Sequence, residues 1–198
     1  MVHPLLNDGA VGNSFSLGRE QQLYLLTGAN MTGKSTFIRT VGVNLILGNM
    51  GMPVRAAAAI MPDAWLFTSI RVTDSVQDDI SYFRAELNRI QEMMIQVANP
   101  QRRYLVMLDE PLRGTNTNDK QFGTKAIAEK LVALGATGII ATHDTVLCAL
   151  EANMGGQVQN FHFESRLESN ELQFDYKLKK GCSTSNNATI LMKQLGIV

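Results

Sequence analysis

Leu23-Tyr24-Leu25-Leu26 is apolar at every position, which predicts a short strand buried on both faces. A glycine-rich stretch follows, and then a helical pattern from Lys34 to about Leu47. Phe83, Leu87, Ile90 and Met94 recur at spacings of four, three and four, so they share one face of a second helix, with Ser81 as its expected N-cap. Tyr104 to Leu108 and Thr137 to Ala141 read as two further buried strands, separated by a helix through Ala126, Ile127, Leu131 and Val132. This order predicts an α/β fold, a mainly parallel sheet flanked by helices. Nearer the end, Phe161 and Phe163 alternate with polar neighbours, as do Leu172, Phe174, Tyr176 and Leu178, around a turn at Glu168-Ser169-Asn170. That pattern predicts an antiparallel hairpin. A short helical pattern covers Ala188 to Leu195, and the chain stops at Val198 as a piece of a longer protein would.

At 198 residues the chain can bury one sizeable core, so residues 1–198 are expected to form one domain. No apolar run approaches the ~20 residues needed to cross a bilayer. The start Met1-Val2-His3-Pro4-Leu5 lacks the order of a secretory signal, so the expected location is cytoplasmic and no membrane partner is expected. The two cysteines, Cys148 and Cys182, are expected as separate inert thiols in a reducing compartment. Lysine plus arginine equals aspartate plus glutamate at 18 each, which gives no general attraction to a phosphate backbone. Little direct DNA binding is therefore expected, and Lys177-Leu178-Lys179-Lys180 reads as a solvated strand edge.

The stretch between the first strand and its helix, Gly28-Ala29-Asn30-Met31-Thr32-Gly33-Lys34-Ser35, fits G-x-x-x-x-G-K-S in full. Glycines let the backbone wrap phosphates with its N–H groups inward, and the helix N-terminus adds its positive dipole end. Lys34 is expected to reach the β- and γ-phosphates of ATP, and the Ser35 hydroxyl to ligate Mg²⁺. A second Mg²⁺ anchor belongs at the end of a neighbouring strand, and Asp109 supplies it. Glu110, one residue on, is the expected general base that polarises the attacking water. His143 follows another strand inside Thr142-His143-Asp144, at the ligand side of the sheet, where it could sense or stabilise the γ-phosphate.

Together these elements resemble the ATPase domain of the MutS family of DNA mismatch-repair proteins, a branch of the ABC-type P-loop NTPases. The resemblance covers nearly the whole chain. The family opens with His-Pro, matched by His3-Pro4, and its phosphate loop reads T-G-P-N-M-x-G-K-S-T, against Thr27-Gly28-Ala29-Asn30-Met31-Thr32-Gly33-Lys34-Ser35-Thr36. Asn30-Met31 inside the loop is the most telling detail. The family's D-E-x-x-R-G-T-x-T-x-D is matched from Asp109 to Asp119, and its T-H by Thr142-His143.

The resemblance implies a domain that binds and hydrolyses Mg-ATP and couples ATP state to DNA binding by upstream domains absent here. It also implies a homodimer packed through the ATPase face, in which a serine at the start of a helix touches the γ-phosphate held by the other subunit. Ser81-Tyr82-Phe83-Arg84-Ala85-Glu86 is similar to the family's S-T-F-x-x-E and offers Ser81 for that contact in trans. Pro111-Leu112 stands where the family has Ile-Gly, Lys120 where it has glycine, and Ser185-Asn186-Asn187 where it has Ser-Tyr-Gly. The alternative reading is a nucleotide-dependent dimerisation switch with negligible hydrolysis and a role outside mismatch repair.

Overall fold

The computed structural model describes residues 1–17, 22–70, 79–168 and 171–184, with the side chains of 79–82, 167, 168 and 171 left aside. The expected helix at Ala188 to Leu195, the Ser185-Asn186-Asn187 segment, most of the Glu168-Ser169-Asn170 turn and the side chain of Ser81 lie outside the described residues.

Strand β1 (Leu23–Thr27) leads into α1 (Lys34–Asn49), then β2 (Trp65–Ser69), α2 (Asp79–Val97), β3 (Tyr104–Asp109), α3 (Thr117–Ala133) and β4 (Thr137–Ala141). A 3₁₀ turn, Thr145–Ala149, and a single turn α4 (Leu150–Asn153) follow, then β5 (Val158–His162), β6 (Ser165–Glu168), β7 (Glu171–Phe174) and β8 (Lys179–Lys180). The main sheet runs β2-β3-β4-β1-β5-β8, parallel except where β8 pairs antiparallel with β5.

Alternate strand residues face opposite sides, and both sides are covered. Tyr24, Leu26, Leu105, Met107, Ile139 and Ala141 pack on Phe37, Ile38, Val41 and Leu45 of α1. Leu23, Leu25, Val106, Leu108 and Ile140 pack on Ile90, Met93 and Val97 of α2 and on Ile127, Ala128, Leu131 and Val132 of α3. Because the strands are parallel, the turns after β1, β3 and β4 all open at one end of the sheet. That is where an open α/β sheet binds its ligands.

Three expectations change, and one strand is new. The alternation at Phe161 and Phe163 belongs to no hairpin: Phe161 sits in β5, which pairs in parallel with β1, and the antiparallel hairpin is β6 with β7. Period two reports a strand between two environments and does not name its partner. β2 was not anticipated. Ser81 lies inside α2, two residues past Asp79, and so is not at its N-cap. Finally, Cys148 and Cys182 are joined in a disulfide with their Cα atoms 6.1 Å apart, because β8 folds back on β5 and delivers Cys182 to the 3₁₀ turn. The cysteines therefore give no argument for a reducing compartment. Lys179, at the basic strand edge, is paired with Glu164 at 2.7 Å and Asp175 at 2.6 Å. Among the described residues, no helix is long and apolar enough to cross a membrane.

Leu112, in the turn after β3, has φ +61°, a left-handed conformation that costs a side chain roughly 1–2 kcal/mol. It is 5% exposed, and burial of a leucine is worth about 1.5–3 kcal/mol, which offsets the strain. Gly123 in α3 makes the room, since a Cβ there would lie 2.3 Å from Leu112 Cδ1. Alanine for glycine inside a helix normally stabilises by about 0.5–1 kcal/mol. Here overpacking, at about 1–3 kcal/mol, outweighs it, so Gly123→Ala should destabilise the protein by about 1 kcal/mol in thermal unfolding. In a Leu112→Ala background the same change should stabilise. A gain from Gly123→Ala alone would show that Leu112 has a second place to go.

Candidate nucleotide site

The chain between β1 and α1 has the conformation its residue types suggest. Gly28 has φ +141°, and a Cβ there would meet the Phe163 carbonyl oxygen at 2.7 Å, so no side chain fits. Gly33, at φ +108°, caps α1 with no side-chain hydrogen bond, and the first turn of α1 holds no acidic residue. The leading N–H groups of α1 thus have no side-chain acceptor from the cap, as a phosphate-binding helix start requires. Thr32 Oγ1 donates to the Ala29 carbonyl at 2.8 Å and ties the loop across itself, while Met31 stands out of it, 77% exposed. Lys34 is buried, and its Nζ donates to the carbonyls of Gly28 at 2.5 Å and Ala29 at 2.9 Å.

The three strand ends are tied together by backbone bonds. Thr142 N–H donates to the Leu26 carbonyl and Glu110 N–H to the Ala141 carbonyl, each at 2.9 Å. Glu110 itself takes φ +54°, a strained conformation of the kind that gathers at functional positions. Its carboxylate is 3% exposed and meets basic side chains from four segments. Oε2 lies 2.6 Å from His143 Nδ1, 3.2 Å from Lys120 Nζ and 3.7 Å from Arg113 Nη2; Oε1 lies 3.9 Å from Lys34 Nζ.

Burial pushes the Glu110 carboxyl up, but His143, Lys120, Arg113 and Lys34 together hold it below the usual carboxylate range. It is ionised, and an ionised carboxylate accepts, so His143 Nδ1 donates. Burial likewise pulls Lys34 below its ordinary value, against Glu110 and Asp109, which raise it.

The two carboxylates differ in what they leave free. Among the described residues, Asp109 Oδ1 and Glu110 Oε1 are both buried without a hydrogen-bond partner, an arrangement that costs about 1–3 kcal/mol per group and calls for a reason. A hard cation suits the first, since Mg²⁺ takes carboxylate and hydroxyl oxygens together with phosphate oxygens. Asp109 at the end of β3 and Ser35 in the first turn of α1 are the residues that could hold it. A water beside the phosphates suits the second.

The loop from Glu110 to Asn116 is held from both sides. Asn116 caps α3 by accepting from Asp119 N–H at 3.0 Å, and its Nδ2 donates back to Asp119 Oδ2 at 2.7 Å. From α2, Glu86 Oε1 accepts the Leu112 N–H at 2.8 Å, and Phe83 packs on Gly114, where a Cβ would come within 3.0 Å. Phe83 and Glu86 of the Ser81 motif thus brace the loop behind Glu110. The structure brings Lys34, Asp109, Glu110 and His143 to one place. Arg113 and Lys120 join them without having been expected there. Arg113 carried a signal as the arginine of the Asp109 motif, and Lys120 as a departure from it.

A family model described as MutS domain V matches residues 24–196. This chain belongs to the MutS family. Among its MutS relatives is the DNA mismatch repair protein MutS of Aquifex pyrophilus, 33% identical over 98% of this chain and 23% of the relative. The DNA mismatch repair protein MutS of Thermotoga petrophila is 34% identical over 98% of this chain and 25% of its own. The protein named Endonuclease MutS2 of Thermus thermophilus is 30% identical over the same shares, 98% and 25%. The chain spans about a quarter of the length of the curated MutS relatives it matches.

Proposed function

We propose that this chain is the ATPase domain of a MutS-like protein, a P-loop NTPase of ABC type that couples ATP state to DNA binding by parts outside this chain. The observation that carries the reading is the pair of buried oxygens, Asp109 Oδ1 and Glu110 Oε1, which accept no hydrogen bond from the described residues, beside Lys34 at the mouth of the loop Gly28 to Thr36. Arriving phosphates draw Lys34 Nζ away from the Gly28 and Ala29 carbonyls, and the backbone of Ala29 to Gly33 wraps them. Ser35 and Asp109 are the residues that would hold Mg²⁺, which would supply positive charge against the phosphates. Glu110 orients the attacking water through Oε1, and His143 keeps Oε2 engaged. A cytoplasmic location and a role in mismatch repair go with this reading.

The relatives' names support the repair role, since several are called DNA mismatch repair protein MutS. The homodimer, with Ser81 completing the partner's γ-phosphate site, rests on the sequence motif. One observation favours the alternative, a dimerisation switch with negligible hydrolysis: Glu110 already pairs with His143 and Lys120, and neighbouring cations make a carboxylate a weaker base.

Turnover separates the two. Mg-ATP hydrolysis by the chain, measured over a wide range of protein concentration, should rise per subunit as the paired form fills by mass action. Tight Mg-ATP binding with no turnover at any concentration would favour the switch. Turnover that does not vary with concentration would remove Ser81 from the site.

A further inference from the structure

Two features of the Glu110 carboxylate stand together: one oxygen is crowded, and the other meets only Lys34, at 3.9 Å, among the described residues. Oε2 faces His143, Lys120 and Arg113, whereas Oε1 is buried and accepts no hydrogen bond from the described residues. A carboxylate rotates about its last bond, so keeping Oε1 directed at a water requires that Oε2 be gripped. His143 is 58% exposed and Arg113 34%, so solvent competes for both. The Lys120 side chain is 11% exposed, and its Nζ stands 3.2 Å from Oε2. It is the anchor held inside the protein.

Its place is also chosen against local preference. Lys120 lies in the first turn of α3, where the helix dipole disfavours a cation, and it is buried there. A lysine kept in such a position is explained by the carboxylate it meets.

We propose that Lys120 is a positioning residue for ATP hydrolysis: its ammonium, 3.2 Å from Oε2 of Glu110, fixes the carboxylate so that Oε1 faces the attacking water. This rests on the hydrolysis reading above. In the step it serves, the water oxygen forms its bond to the γ-phosphorus as the bond from phosphorus to the β–γ bridging oxygen breaks. ADP leaves with that electron pair, and the water proton passes to Oε1 and from there to inorganic phosphate.

The test measures kcat and KM for Mg-ATP in the full chain, as wild type, Lys120→Met, Lys120→Ala and Lys120→Arg, each also in a Glu110→Gln background. Lys120→Met keeps the length of the stem and removes only the charge, so a wild-type melting temperature shows that folding is intact. Both uncharged variants should lose about tenfold in kcat with KM within about twofold, the pattern of lost orientation at the reacting group. Lys120→Arg should restore most of the rate. In the Glu110→Gln background the residual turnover should not fall further, because Lys120 acts through Glu110. Unchanged or faster turnover in Lys120→Met would overturn the proposal and make Lys120 a restraint on the base. The same fractional loss with and without Glu110 would overturn it in favour of direct contact with phosphate. A wild type that binds Mg-ATP and never turns it over overturns the hydrolysis reading and the positioning role with it; that outcome shows in the wild type, not in the variants.

Discussion

Glu110→Gln is expected to lower Mg-ATP turnover by roughly 10² or more while leaving ATP bound, because the amide keeps the shape and cannot take the water's proton. The surroundings of this carboxylate add a second, separable effect. Lys34, Lys120 and Arg113 all lie within 4 Å of Glu110, and the amide would leave them facing a neutral group. Removing one member of a buried charge network destabilises by several kcal/mol in general, about 3–5 when both partners are fully buried. Arg113 and His143 are open to solvent, which reduces the loss here.

The nucleotide-free mutant should therefore melt below the wild type, and the γ-phosphate, arriving as a replacement anion, should raise its melting temperature by more than it raises the wild type's. Thermal unfolding with and without Mg-ATP checks this alongside the turnover assay. Turnover that survives the substitution would transfer the role of base to another group, with His143 the nearest at 2.6 Å.

The parts of this site that were legible in the sequence are those that depend on chain order alone. Gly28 to Ser35 sits between a strand and a helix, Asp109 and Glu110 end an apolar strand, and His143 follows another, and parallel pairing then forces all three to one end of the sheet. The rest depends on how elements rotate and dock. Lys120 reaches Glu110 only because the Asn116 cap orients the first turn of α3 toward the end of β3, and nothing in the spacing of ten residues shows that. The disulfide likewise depends on β8 returning along β5. β2 was missed for a different reason: Trp65 is 58% exposed at the sheet edge, stacked under Arg102, so the strand lacks the apolar continuity that marked β1 and β3.

Lys34→Ala should weaken Mg-ATP binding by at least ~10-fold, about 1.4 kcal/mol, through loss of the point charge on the β- and γ-phosphates. The structure says why binding and folding should separate in this mutant. Without nucleotide, Lys34 Nζ is committed to two loop carbonyls and stands 3.9 Å from Glu110 Oε1, while His143 and Lys120 hold the other oxygen more closely. Removing Lys34 therefore leaves Glu110 paired, and the burial that pulls Lys34 below its ordinary value means that the folded protein gains little from keeping that ammonium charged. The nucleotide gains more, since an arriving triphosphate supplies the full counter-charge that the carbonyls lack. Calorimetric titration with Mg-ATP, set beside the melting temperature of the nucleotide-free mutant, should show a large change in the first and a small one in the second. Equal affinity in mutant and wild type would mean that Gly28 to Ser35 is not where the phosphates lie. A collapse of the melting temperature, with binding lost only in proportion to the unfolded fraction, would make Lys34 a structural tie of the loop.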